Sequence, residues 1–360
     1  MMISTRTTSA ATSIQFIAVS EAQLVFPFAE PPPPGQLMPV APGVLWLRMP
    51  LPFALDHINL WVLDDGDGWT LVDSGIDDQT TRDLWETLFA GPLAAKPVKR
   101  LLVTHYHPDH MGLAGWLTRR LDIPFYATKK EWNRAVRMHG LNGPEFIRLL
   151  VGMAKESGLD ETMLAMLAGR KGTYADLAKT LPAVHHDLDP ALPVRAGGSD
   201  WRIVIGEGHS PQLAALSNAA AKVLISGDQV LPRITPNVSI HPGAGETDPL
   251  GQFLESLERF RPLAADTLVL PSHRLPFTGL HLRLDQLIGH HHERLDRVRA
   301  VCADGATAAA VLTVLFPRKL DAHQLGFALG ETHAHIAYLV QRGELIRETR
   351  SDGVHLYKAK

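Results

Sequence analysis

The sequence predicts an α/β protein. It expects a layered, β-rich domain with helices between strands, a helical insert in the middle, and a tail of two helices and a hairpin. Three observations predict this. Short runs rich in Val, Ile, Leu and Trp recur from Gly43 to about residue 280, bounded by Pro, Asp or Gly and interleaved with helical patterns. Residues 129–190 carry no clear strand pattern. The closing stretch reads helix, helix, then two strand-like runs about Ser351-Asp352-Gly353. The expected organisation is an extension over 1–42, a main domain over 43–285 with the insert at about 129–190, and a C-terminal domain over 286–360.

The elements follow in order. Residues 1–22 have an apolar stretch broken by Ser and Gln, too weak for a secretory segment, and read as a frayed start. The run Pro31-Pro32-Pro33-Pro34 is a stiff surface spacer. GVLWLRMPL from Gly43, HINLWVLDD from His57 and GWTLVDSGI from Gly68 are strands. The segment from Asp77 to Gly91 is a helix, with Asp77 or Asp78 as its cap, Leu84, Leu88 and Phe89 on one face, and Gly91 as its stop. KRLLVTH from Lys99 is a compact apolar strand. In the insert, helical stretches are joined by Gly and hold Met138, Met153, Met163 and Met166; these suit an adaptable pocket wall or, equally, gap filling in a helical subdomain. Strands return in WRIVIGEGHS, AKVLISGDQVL and DTLVLPSHRLP, and a long helix runs from about Leu282 to Ala300. The second tail helix is expected to start at Glu331.

Composition excludes several classes. At 360 residues and 45% apolar content the chain can bury a large core, which argues against disorder. No apolar run approaches the ~20 residues of a membrane span. Basic and acidic residues nearly balance, 35 against 38, and from Val301 onward seven basic residues face six acidic ones, so nucleic-acid binding is not expected. A single cysteine, Cys302, cannot form an internal disulfide and fits a reducing cytoplasm. Histidine, by contrast, makes up 18 of 360 residues and invites a search for metal ligands.

Four potential ligands fall together in Thr104-His105-Tyr106-His107-Pro108-Asp109-His110, directly after an apolar strand. On an extended stretch His105 and His107 point the same way, while Asp109 and His110 sit in the following turn. Imidazoles with a carboxylate are a donor set for zinc or iron. Three more residues, His209, Asp228 and His273, each lie just past the end of an apolar strand and are expected at the same edge of a sheet. Two other groups read differently. His290-His291-His292 points in three directions from one helix and is read as a solvated face, and His185-His186 as a surface loop.

In the HxHxDH pattern at 105–110, the later His209, Asp228 and His273, and their placement at strand ends, the sequence resembles the metallo-β-lactamase fold superfamily of hydrolases, over roughly residues 43 to 280. The resemblance implies a four-layer αβ/βα sandwich and two Zn2+ per chain, with Fe or Mn as alternatives. One metal would take His105, His107 and His209, the other Asp109, His110 and His273, with Asp228 and a hydroxide bridging. Asp73 matches the family's acid near the metal loop, and with Thr104 it would orient the ligands. Asp228 points to the glyoxalase II-like thioesterase, lactonase and tRNA- or RNA-cleaving branches rather than to true β-lactamases. One departure is Leu213, where many relatives carry a second His. The tail resembles the winged-helix-like domain of a subgroup of these hydrolases.

The implied activity is hydrolysis of a small or medium ester, thioester or lactone by a metal-bridging hydroxide, with Asp109 orienting it and taking its proton. Trp132, Met138 and Phe146 of the insert are the expected substrate contacts. A phosphodiesterase or ribonuclease on the same metals is the alternative; it calls for a basic track that the sequence lacks. An iron-dependent oxygenase fits the full ligand set less well. The expected partner is a small-molecule substrate, without nucleic acid or membrane, and with a homodimer as an option for the tail.

Overall fold

The computed structural model describes residues 23–196, 198–244 and 247–360. Seven strands form the first sheet in chain order: β1 (Leu37–Ala41), β2 (Val44–Pro50), β3 (His57–Asp64), β4 (Trp69–Val72), β5 (Val98–Leu102), β6 (Phe125–Ala127) and β7 (His186–Asp187). β1 to β4 pair antiparallel and β4 to β7 parallel, because helical crossovers intervene from β4 onward. The crossovers are α1 (Gln79–Ala90), then α2 (Pro108–Met111) and α3 (Ala114–Leu121), then the insert α4 (Lys129–Gly140), α5 (Gly143–Glu156), α6 (Glu161–Ala168) and α7 (Tyr174–Leu177). The second sheet takes β8 (Val194–Ala196), β9 (Ser199–Gly206), β10 (Leu213–Asn218), β11 (Val223–Gly227) and β12 (Leu268–Pro271), in the order β12-β11-β10-β9-β8. α8 (Pro249–Glu258) and α9 (Leu280–Cys302) flank it. The tail is β13 (Ala306–Thr307), α10 (Ala308–Leu315), α11 (Ala322–Gln341), β14 (Leu345–Thr349) and β15 (His355–Ala359).

Alternation along the strands builds four layers. Trp46, Trp61, Val72 and Leu102 face Trp201, Leu216, Ile225 and Leu270 and form the core between the sheets. Their neighbours Leu47, Leu60, Leu71 and Leu101 point outward onto Trp85, Leu88 and Leu117 of α1 and α3. On the far side Leu224 and Val269 meet Phe253 and Leu257 of α8, Leu284 and Leu287 of α9, and Val311 and Ile336 of the tail. The tail therefore shares one continuous core with the second sheet, and α9 runs unbroken through position 285.

Several details depart from the sequence reading. Within the expected extension, residues 23–42 pack onto the fold: β1 pairs with β2, Val25 bridges Thr278, and Phe28 packs edge-on against Trp46 at 6.1 Å; residues 1–22, read as a frayed start, lie outside the described residues. β10, LAALSN, lacks the Val and Ile content of a recognisable strand, yet all six of its residues are buried. α11 begins at Ala322, not Glu331, because Asp321 and Gln324 form a capping box ahead of Gly326 and Gly330. Gly330 permits close packing: a Cβ there would meet Ser239 and the Ile240 carbonyl within about 3.0 Å. His291 is fully buried, against the reading of 290–292 as a solvated face, because α9 turns it toward His335 of α11 at 3.2 Å. Met153, Met163 and Met166 fill the seam between insert and tail, and only Met138 of the four lines a cavity. No described helix is long and apolar enough to cross a membrane.

Candidate metal centre

The carboxyl ends of β4, β5, β9, β11 and β12 meet where the two sheets open, and each delivers a side chain. After β5 the chain extends through His105 and His107 and turns into α2 at Pro108, which presents Asp109 and His110. His209, Asp228 and His273 follow β9, β11 and β12 of the opposite sheet, so the seven residues come from both sheets. Two groups form, His105, His107, His209 and Asp228 in one and Asp109, His110 and His273 in the other, with donor atoms within 4.8 Å inside each. Asp228 faces both groups. Its Oδ1 lies 3.5 Å from His110 Nε2 and 3.4 Å from His273 Nε2, and its Oδ2 lies 3.5 Å from His209 Nε2.

Hydrogen bonds behind the rings fix their tautomers. His209 Nδ1 donates to the Asn237 carbonyl and His273 Nδ1 to the His57 carbonyl, each at 2.8 Å. His110 Nδ1 donates to Asp73 Oδ2 at 2.8 Å. The Thr104 hydroxyl donates to Asp73, so its oxygen accepts from His105 Nδ1 at 3.1 Å. His105 and His209 therefore aim a lone pair on Nε2 into the centre, and His110 and His273 would do the same where a metal ion takes the place of the proton that Asp228 and Asp109 favour there. Asp73 holds this arrangement from a left-handed backbone conformation, φ 64°, which is costly for a non-glycine residue and recurs at functional sites.

These donors fit a metal. His105 Nε2 and His209 Nε2 stand 3.2 Å apart and, both being acceptors, cannot bond each other. A tetrahedral zinc with Zn–N of ~2.0–2.1 Å sets its ligand nitrogens about 3.3 Å apart. Among the described residues His110 Nε2 and Asp228 Oδ1 are buried without a hydrogen-bond partner. Electrostatics agree. Burial drives the His105 and His107 pKa values well below the usual range, which keeps those rings neutral. At His273 burial opposes the charged ring, but Asp228 and Asp109 together outweigh it and lift the pKa to about 10, marking a half of the site that demands positive charge.

Beside His107 a cavity of about 300 Å³ opens, walled by the insert, the 239–242 loop and the start of α11. Its lining is mainly apolar. Of the three residues expected to touch substrate, Met138 and Phe146 line this cavity and Trp132 does not. Six residues along a helix amount to about 600°, which turns Trp132 well away from Met138. Trp132 instead stacks on His185 at 5.2 Å, and His185 Nε2 donates to the Ala127 carbonyl.

Residues 54–273 match the model described as the Metallo-beta-lactamase superfamily, and 295–360 match its "Metallo-beta-lactamase-like, C-terminal domain". The chain belongs to the metallo-beta-lactamase superfamily. A crystal structure of a beta-lactamase domain protein from Burkholderia ambifaria is 44% identical, with a TM-score of 0.88 over 94% of this chain and 98% of that one. A metallo-beta-lactamase family protein from Thermus thermophilus is 28% identical, with a TM-score of 0.73 over 89% and 99%. The curated "Probable metallo-hydrolase YqjP" of Bacillus subtilis is 23% identical over 82% of this chain and 92% of its own length. The protein is thus a metallo-hydrolase, and its His/Asp cluster is a site for divalent metal.

Within this metallo-beta-lactamase frame the structure adds residues that sequence reasoning missed. Glu131, fully buried at the start of α4, joins the two ligand loops. Its Oε2 accepts from the Tyr106 amide at 3.0 Å, between His105 and His107, and its Oε1 accepts from Ser210 Oγ at 2.8 Å and from the Gln212 amide. Burial pushes its pKa up to about 7, although these three donors favour the carboxylate. No local pattern announces it, since its partners lie 25 and about 80 positions away. Leu213, at the family's missing histidine, is the first core residue of β10. On the other side Asn59 Nδ2 donates to the Pro271 and Arg274 carbonyls, each at 2.8 Å, and fixes the loop bearing His273. Asn237 donates to Glu331 of α11 at 3.2 Å, which ties the tail to the residue behind His209.

Glu131→Gln sets an amide NH2 against at least one of these donors. We expect a loss of ~1–3 kcal/mol of stability and roughly tenfold or more weaker metal retention, read by denaturant unfolding and by chelator competition. Wild-type metal retention in the variant would remove Glu131 from the positioning of the ligand loops.

Proposed function

We propose that the protein is a dinuclear zinc hydrolase of a small or medium carbonyl substrate, an ester, thioester or lactone. His105, His107 and His209 would hold one ion, Asp109, His110 and His273 the other, and Asp228 both. Bound there, the metals supply an activated water near neutral pH and a Lewis acid for the carbonyl oxygen. Asp109 turns Oδ2 toward His110 and His273, at 3.7 and 3.4 Å, which leaves Oδ1 to take and return a proton. Tyr106, whose hydroxyl pairs with His241 at 3.2 Å, lines the cavity beside His107 and offers a polar contact to the reacting group. The apolar walls exclude bulk water.

The observation that carries this reading is that cavity, which suits an acyl group and not a polyanionic backbone. A panel of a p-nitrophenyl ester, a thioester, a lactone and bis-p-nitrophenyl phosphate tests it. At least one carbonyl substrate should exceed the phosphodiester by about 100-fold in kcat/KM, and the reverse order would install the phosphodiesterase alternative.

The same reading gives the tail no role in nucleic-acid binding. In α11, where a recognition helix would lie, His335, Ile336 and Leu339 are buried, and Arg342 is paired with Asp248 at 2.8 Å. Non-specific binding needs several free cations. Duplex DNA or RNA should therefore show no mobility shift at micromolar protein in about 50 mM salt, and a salt-sensitive shift would overturn this assignment.

A further inference from the structure

The cavity beside the metal centre contains a cation without an anion. Arg170, at the end of the α6 stretch, is half-buried in its wall, and burial lowers the guanidinium pKa. Its Nε is buried with no hydrogen-bond partner among the described residues. Among the described residues its one side-chain hydrogen bond runs from Nη2 to His323 Nδ1 at 3.2 Å, and a neutral imidazole leaves the charge uncompensated. The guanidinium lies over the Phe146 ring at 5.2 Å, and its Nη1 sits against Gly326, where a Cβ would approach to 3.5 Å. No carboxylate of the described residues pairs with it. Asp176, which also lines the cavity, is bound instead to the amide and hydroxyl of Thr173.

Desolvating an ion without a partner is unfavourable. The surroundings also hold this one in place: Phe53 stacks on His323 with rings 6.0 Å apart, and the His323 edge meets Phe327. A planar guanidinium with free donors, in an apolar pocket, matches a carboxylate by two parallel hydrogen bonds. Arg170 contacts none of the seven cluster residues, so it is not part of the metal centre.

We propose that the substrate is an acyl compound with an apolar chain ending in a carboxylate, and that Arg170 binds that carboxylate while the scissile carbonyl lies at the metal centre. This rests on the carbonyl-hydrolase reading above and narrows it to ω-carboxylated substrates. It also explains why three otherwise separate segments, α6, the 239–242 loop and α11, close around one space: the tail contributes the residues that hold Arg170 in position.

The test compares p-nitrophenyl hexanoate with the p-nitrophenyl monoester of adipic acid, which carries the extra carboxylate. Metal-loaded wild-type protein should favour the adipate ester by at least about tenfold in kcat/KM. In Arg170→Gln that ratio should fall to about one, and Arg170→Lys, which keeps the charge and loses the fork, should recover part of it. An unchanged ratio in Arg170→Gln, or no preference in wild type, overturns the proposal and leaves the hydrolase reading intact. A binding arm is independent of turnover. Calorimetric titration with adipamic acid and with hexanamide should show that only the acid binds, at least about tenfold more weakly to Arg170→Gln. If neither ester is cleaved, the ester form of the hydrolase reading fails, and this titration still decides the carboxylate site: equal affinity for wild type and variant rejects it.

Discussion

Asp228→Ala should lower turnover by at least ~100-fold, equivalent to about 2.7 kcal/mol in the barrier, while the fold is retained. Among the cluster residues Asp228 turns one oxygen to each half of the centre, Oδ1 to His110 and His273 and Oδ2 to His209. Without that anion the two ions repel with less compensation, and the half around His110 and His273 loses one of the carboxylates that draw positive charge there. Elemental analysis should find about two equivalents of metal in wild type and about one or fewer in the variant. His110→Ala should lose the same second equivalent first. Near-normal turnover by fully loaded Asp228→Ala, or a wild type that saturates at one equivalent, would sink the dinuclear assignment.

The second large effect is on stability. Gly112 ends the turn that carries Asp109 and His110. A Cβ there would lie 2.2 Å from the Pro108 carbonyl oxygen, 2.5 Å from that of Leu177 and 2.8 Å from Ile76 Cα. All three are backbone atoms, so no side-chain rotation relieves the clash, and either α2 or its neighbours must shift. Gly112→Ala should cost ~3 kcal/mol or more, a large part of the stability of an ordinary domain, and should weaken metal binding because Asp109 and His110 move with α2. Gly152, inside α5 with open space where its Cβ would be, provides the contrast. Gly152→Ala should be neutral or stabilising by up to about 1 kcal/mol. Urea unfolding measures both, and equal midpoints for the two variants would contradict the packing described around α2.

How far the sequence reaches depends on the range of the forces involved. Strands such as HINLWVLDD and helices such as Asp78–Gly91 declare themselves through short periodicities and caps, and α1 begins and ends where Asp78 and Gly91 predict. Gly326 and Gly330 break the helical pattern of the first half of α11, and the close approach of Gly330 to Ser239 and the Ile240 carbonyl is a tertiary contact that no local pattern records. Trp132 faces His185 and not the cavity for a similar reason: an aromatic side chain on a helix announces burial but not the face on which the cavity lies.

The donor chemistry of the site is written locally in the chain. Two histidines at period two, a Pro-Asp-His turn, and three residues at strand ends fall at their positions because backbone geometry near a strand terminus is local. What surrounds them was settled by packing. Glu131 reaches Tyr106 and Ser210, Asn59 reaches across to the loop at 271–274, Glu331 reaches Asn237, and Arg170 meets His323, over separations of 25 to 215 residues. Such partners are selected by burial, since a polar group removed from water must find whichever complementary group the packed layers bring within about 3 Å. The identity of that group depends on how two sheets, an insert and a tail close together, and that information lies in no single stretch of the chain.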